Sequence, residues 1–531
     1  MSRKTRFILV ALLLLAFFGW RQVRDRVQDA PADNTAVAAD KDAAAAKTPS
    51  APAPPRMFGS IAFHPCTLAS PMGGAGVAAQ CGTLSVAEDP AKPQGRRIAL
   101  NLAWIPAGEG ADDPRNPVFM LAGGPGQAAV ATYPTVAPAF REVAKHRDVV
   151  LVDQRGTGDS NLLQCADMLE ALGGGDDADE AGDEAASRAA MREATAHCRD
   201  TLSRHADLRF YTTTDAVRDL DTVRQALGVE QVNLLGISYG TRVAQRYAGT
   251  YPQHVRALVL DSPAPNELVL GNDFARNLED ALALQFGRCA KIPDCANALG
   301  DPRAQLDSLM ARLRDDPPLV TYRDANSGRQ QQERLQPARI VGLARMYAYS
   351  PMAASILPLL IHEGAQGRYD GLMALSKMLA DSLPEQMAYG MQLSVICSED
   401  ADGLRADPDM AASLLGNELV DGLLTQCEAW PKGARPDDFH KPLASDVPTL
   451  LLSGELDPVT PPAYAEQIAR TLPNSRVLVL RGQGHNVIGT GCMPRLFAQF
   501  LDTADARGLD AKCLDKLAYT PPFTSFNGWG P

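Results

Sequence analysis

The sequence predicts an α/β fold in which helices cover both faces of a mostly parallel sheet, and two observations support this. Short, uniformly apolar runs recur along the chain, as expected for parallel strands that are buried on both faces. Stretches with helical periodicity separate these runs, for example 215–227 and 240–251. The predicted strands are 97–106, 117–121, 148–152, 231–235, 255–260, 449–452 and 476–480.

The middle of the chain interrupts this alternation. Residues 267–440 contain few strand-like runs and many helix-compatible stretches, which are broken by prolines at 317–318 and glycines near 364–367. We therefore predict a mainly helical cap at 267–440, inserted between two parts of the core at 58–266 and 441–531. The cap should lie over the carboxyl ends of the strands, where open α/β sheets bind their ligands.

The N-terminal segment predicts export. Three basic residues, Arg3, Lys4 and Arg6, precede an apolar run at 7–20, which is shorter than the roughly 20 residues of a usual membrane-spanning helix. Residues 1–26 are thus predicted to be a signal sequence or an N-terminal membrane anchor, and both alternatives stay open. The Ala- and Pro-rich residues 27–57 are predicted to form a flexible linker. We expect a periplasmic or secreted protein, tethered to the membrane if the segment is retained.

The cysteines agree with export. An exported chain with ten cysteines is expected to form disulfides, and the simplest hypothesis pairs neighbours in the sequence. Their spacing does not resemble that of a zinc site. The predicted bridges are 66–81, 165–198, 289–295, 397–427 and 492–513.

Composition and charge limit the classes of partner. The chain is 45% hydrophobic and 21% charged, which is typical of a globular protein with a sizeable core. Its formal net charge of −12 would repel a polyanion, so we exclude nucleic acid as a partner.

A five-residue motif predicts a catalytic serine. Residues Gly236-Ile237-Ser238-Tyr239-Gly240 fit the pattern G-x-S-x-G, directly after a predicted strand and before a predicted helix. In this setting the serine is exposed on a sharp turn, as in the nucleophile elbow of the α/β-hydrolase fold. The motif alone is weak evidence, and its strand–turn–helix context makes it specific.

A serine hydroxyl needs a base and an orienting acid to become a nucleophile. His485 is the preferred base because it lies in a glycine-rich loop directly after the predicted strand 476–480. The acid should lie between serine and histidine in the chain. Asp457 is preferred over Glu455 for this role because it lies further beyond the end of strand 449–452.

Two backbone N–H groups are expected to stabilise the oxyanion. One belongs to Tyr239, the residue after the nucleophile. The other should come from a glycine-rich loop after an earlier strand, and Gly124 is preferred there over Gly123.

Several motifs together resemble the proline iminopeptidase and tripeptidyl aminopeptidase family of serine peptidases, over about residues 60–515. The length, the large cap and the cysteines before Trp430 resemble the exported tripeptidyl aminopeptidases in particular. In chain order the motifs are Gly-Gly-Pro-Gly at 123–126, Asp-Gln-Arg-Gly-Thr-Gly at 153–158, Gly-Ile-Ser-Tyr-Gly at 236–240, Leu-Asp-Ser-Pro at 260–263, Asp-Pro-Val-Thr-Pro at 457–461 and Gly-His at 484–485.

The resemblance implies an aminopeptidase that acts on peptides with a free N-terminus, with a helical cap, no metal and no cofactor. The cap sequence around 396–400 resembles the family's motif, which implies that Glu399, or else Asp400, binds the substrate's ammonium group. Ala122 stands where the single-residue iminopeptidases carry histidine, and this weakens the implied preference for proline.

Two other functions stay open on the sequence alone. An esterase or lipase-like small-molecule hydrolase would use the same triad on the same fold, with an apolar cap in place of an acidic one. An inactive envelope protein that binds a partner is the more remote alternative.

Overall fold

A computed structural model describes residues 54–528, except for 71–72, 74, 109–115, 166–183, 326 and 383–386. The predicted signal sequence or anchor at 1–26 and nearly all of the predicted linker at 27–57 lie outside the described residues. Within the part that is described, no helix is long and apolar enough to cross a membrane.

A ten-stranded sheet forms the centre of the molecule, and two further strands form a hairpin in the cap. The strands are β1 (Arg56–Phe58), β2 (Ile61–Leu68), β3 (Val77–Ala87), β4 (Arg97–Ile105), β5 (Val118–Leu121), β6 (Val149–Val152), β7 (Val232–Ile237), β8 (Val255–Asp261), β9 (Leu319–Arg323), β10 (Gln330–Arg334), β11 (Thr449–Gly454) and β12 (Ser475–Leu480). The order in the large sheet is β1-β2-β3-β4-β6-β5-β7-β8-β11-β12. Strands β5 to β8, β11 and β12 run parallel, and β1 to β4 extend the sheet in antiparallel fashion.

Helices cover both faces of this sheet and build the cap. They are α1 (Ala129–Val136), α2 (Glu184–Leu202), α3 (Thr213–Leu227), α4 (Tyr239–Thr250), α5 (Phe274–Lys291), α6 (Pro293–Leu299), α7 (Pro302–Asp315), α8 (Pro337–Ala348), α9 (Pro351–Ala354), α10 (Leu357–Ala365), α11 (Asp370–Ser382), α12 (Tyr389–Glu399), α13 (Glu418–Ala429), α14 (Pro462–Ala469) and α15 (Met493–Thr503).

The apolar runs of the sequence become strands buried on both faces. In β5, Phe119 and Leu121 point into one apolar core, and Val118 and Met120 point into the other. Helices α3 and α4 close the first core, and α1 and α15 close the second. The predicted fold class, an α/β protein with a mostly parallel sheet, is confirmed.

The cap lies between β8, which ends at Asp261, and β11, which begins at Thr449. Its helices α5, α7, α8 and α10 share an apolar core of their own, in which Leu278, Leu309 and Leu343 are buried. The hairpin of β9 and β10 contains the only strands in the described part of the cap. Its strands are mostly exposed and polar, and this explains why no apolar run marks them in the sequence.

Strands β1, β2 and β3 were also not predicted from the sequence. They form the antiparallel edge of the sheet, where β2 is buried at Ile61 and Phe63 but exposed at the residue between them. In a strand with one buried face, apolar and polar residues alternate along the sequence, so no continuous apolar run marks it. Pro65 within β2 weakens the signal further.

The predicted disulfide pairing is confirmed. One bridge joins β2 to β3, one joins the ends of α5 and α6, and one joins α12 to α13 within the cap. The bridges are Cys66–Cys81, Cys165–Cys198, Cys289–Cys295, Cys397–Cys427 and Cys492–Cys513.

Candidate active site

The predicted nucleophile lies on a sharp turn between β7 and α4. Ser238 has φ 55° and ψ −124°, a conformation that residues with side chains rarely adopt. The flanking glycines are required by close backbone contacts. A Cβ at Gly240 would lie 2.2 Å from the carbonyl oxygen of Leu121, and one at Gly236 would lie 2.5 Å from that of Gly240. This geometry is that of the nucleophile elbow.

The predicted base and acid lie together at the same edge of the sheet. His485 Nδ1 is 2.8 Å from Oδ2 of Asp457, whose side chain is fully buried in the loop after β11. The other carboxylate oxygen of Asp457 accepts hydrogen bonds from the backbone N–H groups of Val459 and Thr460, at 2.9 and 2.8 Å. The Thr460 hydroxyl donates to Oδ2 at 3.0 Å. Thr460 was not among the residues predicted from the sequence, although it lies three residues after the acid.

The electrostatics of this pair suit a general base. Burial alone would lower the pKa of His485, but the charge of Asp457 and its hydrogen bond raise that pKa above its ordinary value. Burial would raise the pKa of Asp457, yet the His485 charge and hydrogen bonds lower it overall. Asp457 is therefore ionised at neutral pH and favours the tautomer of His485 that leaves Nε2 free to accept a proton.

Asp261, at the end of β8, joins the nucleophile turn to the histidine loop. Its carbonyl oxygen accepts a hydrogen bond from the N–H of Ser238 at 2.9 Å. Its carboxylate accepts from the N–H groups of Val487 and Ile488, at 2.9 and 3.0 Å. Burial raises the pKa of Asp261 to about 6, against the effect of these N–H groups. In the sequence, Asp261 stands out only as part of the Leu-Asp-Ser-Pro motif, although a carboxylate that ends an apolar strand is an unusual signal.

The predicted oxyanion loop also lies beside the serine. A Cβ at Gly123 would be 3.1 Å from the Cβ of Ser238, and Gly124 has φ 106°, which favours glycine. Tyr239 begins α4, so its N–H has no acceptor within the helix. The structure thus brings Ser238, Tyr239 and the Gly123–Gly124 loop to one place.

The cap closes over these loops at three points. The ring of Tyr349, at the end of α8, packs edge-on against the His485 imidazole with 5.0 Å between centroids, and its carbonyl oxygen accepts from the His485 N–H at 2.8 Å. Ala388 donates its N–H to the carbonyl oxygen of Gly126 at 2.9 Å. The Asn277 amide donates to the carbonyl oxygen of Val459 at 2.8 Å.

The two predicted ammonium-binding residues lie inside the protein. Glu399, the last residue of α12, is 1% exposed, and Asp400 is 0% exposed. Glu399 accepts hydrogen bonds from the N–H and the hydroxyl of Thr213, at 2.5 and 2.8 Å. Asp400 forms an ion pair with Arg242 at 2.8 Å. Their role in binding ammonium stays a prediction, but neither carboxylate faces solvent.

Comparison with known proteins assigns the chain to a class. Residues 116–386 match the family described as alpha/beta hydrolase fold, and residues 412–513 match the one described as TAP-like protein. A tripeptidyl aminopeptidase of Streptomyces coelicolor is 25% identical over 464 residues, which cover 82% of this chain and 83% of the relative. The serine protease Hip1 of Mycobacterium tuberculosis is 27% identical over 511 residues, covering 87% and 92%. A proline iminopeptidase of Heyndrickxia coagulans is 26% identical over 163 residues, covering 31% and 40%.

Since the first match spans half of the chain, the protein belongs to the α/β-hydrolase family. It resembles a tripeptidyl aminopeptidase and the serine protease Hip1 over more than four fifths of its length. The family resemblance that the sequence motifs indicated is therefore confirmed.

Proposed function

We propose that the protein is an exported aminopeptidase that hydrolyses peptide bonds near free N-termini and releases tripeptides or single residues such as proline. Ser238 is the nucleophile, His485 the general base and Asp457 the orienting acid. The observation that carries this proposal is the 2.8 Å hydrogen bond between His485 and Asp457, at the sheet edge where the strained Ser238 turn lies. The names of the relatives support a peptide substrate with a free N-terminus.

In the acylation step, Ser238 Oγ attacks the carbonyl carbon of the scissile bond while His485 Nε2 takes the hydroxyl proton. The negative charge that develops on the carbonyl oxygen is stabilised by the N–H groups of Tyr239 and Gly124. The C–N bond then breaks, and His485 gives its proton to the leaving amine. The products are a shortened peptide with a new N-terminus and an acyl-enzyme ester on Ser238.

In the deacylation step, water replaces the leaving peptide. His485 removes a proton from the water as it attacks the ester carbonyl, and the same two N–H groups stabilise the second oxyanion. The ester C–O bond breaks and the proton returns to Ser238 Oγ, which releases the N-terminal fragment. Each residue of the triad is restored, so no other co-reactant is needed.

Export is supported by the basic start and apolar run of the N-terminal segment and by the disulfides. We expect that protein isolated from the producing cell resists alkylation until a reductant is added. Ten alkylatable thiols without reductant would contradict both the disulfides and the compartment.

A fluorophosphonate probe tests the nucleophile, with the Ser238→Ala variant as its matched control. We expect covalent labelling of the wild-type protein and none of the variant. Ser262→Ala, which changes a nearby buried serine directly after β8, should keep its labelling. Labelling that persists in Ser238→Ala would contradict the assignment of the nucleophile.

Tripeptidyl and prolyl aminoanilides, each with a free or a blocked N-terminus, test the substrate class. Hydrolysis of free-amine substrates alone supports an aminopeptidase, and the preferred substrate gives the number of residues released. Ester turnover without any amide turnover would instead support the esterase alternative. The absence of both labelling and turnover would support the inactive binding protein.

A further inference from the structure

The end of cap helix α12 is attached to the nucleophile helix α4 at a buried ion pair. Asp400 binds Arg242 at 2.8 Å, and both side chains are 0% exposed. The Arg242 guanidinium also donates to the carbonyl oxygen of Leu268, and it lies over the ring of Phe439. Arg242 is four residues after Ser238, so this pair fixes the helix one turn beyond the nucleophile.

A second attachment reaches the residue that follows the nucleophile. Glu399 accepts hydrogen bonds from the N–H and the hydroxyl of Thr213, the first residue of α3. The Thr213 hydroxyl lies 2.6 Å from the hydroxyl of Tyr239. Glu399, Thr213 and Tyr239 therefore form one buried hydrogen-bonded chain, which ends on the residue whose N–H is the proposed oxyanion donor.

We propose that Glu399 and Asp400 are positioning residues that fix the start of α4, and with it the oxyanion donor of Tyr239, and that they do not bind the substrate. The two attachment points, Tyr239 and Arg242, are three residues apart and so lie on one face of the helix. Glu399 accepts both Thr213 hydrogen bonds, Asp400 binds Arg242 through one carboxylate oxygen, and neither carboxylate faces solvent, whereas an ammonium receptor must face the substrate. The proposal rests on the triad, because it assigns a function to the turn that presents Ser238.

The charge state of Glu399 should make the effect of this hydrogen-bonded chain on activity depend on pH. Burial, with a contribution from Asp400, raises the pKa of Glu399 to about 8, although Arg242 and the Thr213 hydrogen bonds oppose the shift. Glu399 is thus protonated at pH 7, and above pH 8 it adds a buried negative charge to the hydrogen-bonded chain that ends on Tyr239. The other groups that face Glu399 or its carbonyl are Tyr239 from α4, Thr213 from α3, and Arg435 and His440 from the segment before β11.

Three variants of the full-length protein test the hydrogen-bonded chain of Glu399, Thr213 and Tyr239. Thr213→Val and Tyr239→Phe each remove one hydroxyl, and Glu399→Ala removes the carboxylate. We expect each to lower kcat about 10-fold, with KM nearly unchanged, since a misplaced oxyanion donor weakens transition-state binding alone. The loss should be equal for a free-amine anilide and for an N-blocked ester. Glu428→Gln, an exposed cap carboxylate on α13 paired with Arg192, is the control that should change neither constant.

Matched pairs of substrates and pH profiles then distinguish a positioning role of Glu399 from a role in binding the substrate's ammonium group. In the Glu399→Gln variant, which mimics the protonated acid, kcat should match wild type at pH 7 and lose the wild-type decline above pH 8. An increase in KM for free-amine substrates alone would overturn the proposal and assign Glu399 to the ammonium. Unchanged kcat in both Thr213→Val and Tyr239→Phe would also overturn it. Fluorophosphonate labelling of Ser238 in each variant shows whether the triad itself has failed.

The environment of Arg345 in the cap supports a second, independent inference about the substrate. It lies on α8 one turn before Tyr349, and its guanidinium is 5.2 Å from the centre of the Phe274 ring. Within the part of the chain that the structure describes, no carboxylate pairs with it. Its charge and a hydrogen bond lower the pKa of Tyr349, and its charge lowers the pKa of Tyr389, in both cases against the larger effect of burial.

Arg345 lies one helical turn from the part of the cap that contacts the base. Tyr349 packs against the ring of His485. Tyr389 follows the residue that binds the oxyanion loop at Gly126. The hydrogen bond between Arg345 and Tyr349 thus connects this cation to the part of the cap that contacts the base.

Given the proposed peptidase function, we infer that Arg345 selects peptides that carry a carboxylate close to the scissile bond. A half-buried guanidinium without a protein carboxylate is available for a charge-assisted hydrogen bond with the substrate. The carboxylate belongs either to an acidic side chain or to the C-terminus of a short peptide. Both sources present the same group to Arg345.

Matched peptides with a free N-terminus test this inference in the full-length protein. Peptides with Glu or Gln at each position around the scissile bond test whether the carboxylate belongs to a side chain. Peptides with a C-terminal acid or amide test whether it belongs to the C-terminus. We expect wild type to prefer one carboxylate form about 10-fold in kcat/KM, and Arg345→Gln to lose that preference while it cleaves the neutral peptide as before. Arg345→Lys should recover part of it.

Arg339→Gln is the matched control, because Arg339 lies on the same helix but is paired with Glu333 at 2.7 Å. It should keep the wild-type preference. An equal loss on charged and neutral peptides in Arg345→Gln would overturn the inference and make Arg345 a support for Tyr349. An absence of preference in wild type would overturn it as well, and cleavage of the neutral peptides would show that the peptidase function still holds.

Discussion

The catalytic loops of the sheet and the helical cap hold their functional side chains in different ways. In the loops, backbone N–H groups hold the carboxylates of Asp457 and Asp261, directly beyond the ends of buried strands. In the cap, Glu399 is held partly by another side chain and Arg345 lies over the ring of Phe274. Backbone contacts persist when neighbouring side chains change, so the fold itself maintains the chemistry. The cap contacts depend on residue identity, and the choice of substrate can therefore change there.

The largest expected effect is that of Asp457→Asn, which changes the acid without removing its volume. The variant should lower kcat about 10⁴-fold, because the amide no longer favours the His485 tautomer that accepts a proton at Nε2. Steady-state hydrolysis of a free-amine anilide measures this effect. Asp273→Asn is the control at the edge of the cap, where the carboxylate binds the Tyr464 hydroxyl instead of the base. A loss of less than about 10-fold in Asp457→Asn would contradict the assigned triad.

The cap disulfide should contribute more to folding than to chemistry. Cys397–Cys427 joins α12 to α13 across 30 residues, and a loop of this length stabilises a folded chain by about 3–4 kcal/mol. Replacing both cysteines with serine should lower the midpoint of thermal unfolding while the variant, below that midpoint, keeps its fluorophosphonate labelling. The same change at Cys66–Cys81, on the antiparallel edge, is the comparison. Loss of labelling in the folded cap variant would show that the catalytic loops depend on the cap for their geometry.

Thr460→Val should have a smaller effect on the loop that holds the acid. The Thr460 hydroxyl donates to Asp457 Oδ2 at 3.0 Å, but its N–H contact to Oδ1 does not depend on the side chain. We expect kcat to fall about 10-fold, because one charge-assisted hydrogen bond is lost and the backbone bonds remain. The Thr490→Val variant changes a half-buried threonine further along the histidine loop and should have no effect. A loss as large as that of Asp457→Asn would mean that the hydroxyl, and not the backbone, holds the acid.

The features that the sequence predicts lie mainly in the sheet and its loops, and those that it does not predict lie mainly in the cap and at the antiparallel edge. Uniformly apolar strands and the G-x-S-x-G turn identify the sheet and Ser238, since both patterns follow from burial on two faces and from a sharp turn. Chain order then predicts Asp457 and His485, which the structure places 2.8 Å apart. The antiparallel edge and the cap hairpin are not predicted, because strands with an exposed face lack a continuous apolar run.

The roles of cap residues are harder to predict because they depend on contacts between distant segments. Glu399 meets Thr213 across 186 positions, and Asp400 meets Arg242 across 158. A motif can identify such carboxylates as unusual, but it cannot show whether they face a substrate or the interior. Asp261 is the corresponding case in the core, where the motif was visible and the contact with the histidine loop was not.

The smallest predicted effect is a shift in pH dependence caused by Asp261→Asn. The negative charge of Asp261 is one of the causes that raise the pKa of His485 above its ordinary value, with smaller effect than Asp457. His485 must be neutral to act as a base, so activity is present above this pKa and is lost as the pH falls through it. Removing the charge lowers the pKa of His485, and the acid limb of kcat/KM should move to lower pH.

The shift should be well below about one pH unit, since Asp457 remains the main partner of the imidazole, and the amide oxygen of the substituted side chain can still accept from the loop N–H groups. Glu267→Gln, an exposed carboxylate beyond the same strand, is the control and should leave the profile unchanged. A shift to higher pH would mean that Asp261 does not act on the base through its charge. A fall in kcat at every pH with no shift would mean that Asp261 only holds the histidine loop in place. That outcome would strengthen the contrast between a core held by backbone hydrogen bonds and a cap held by side-chain contacts.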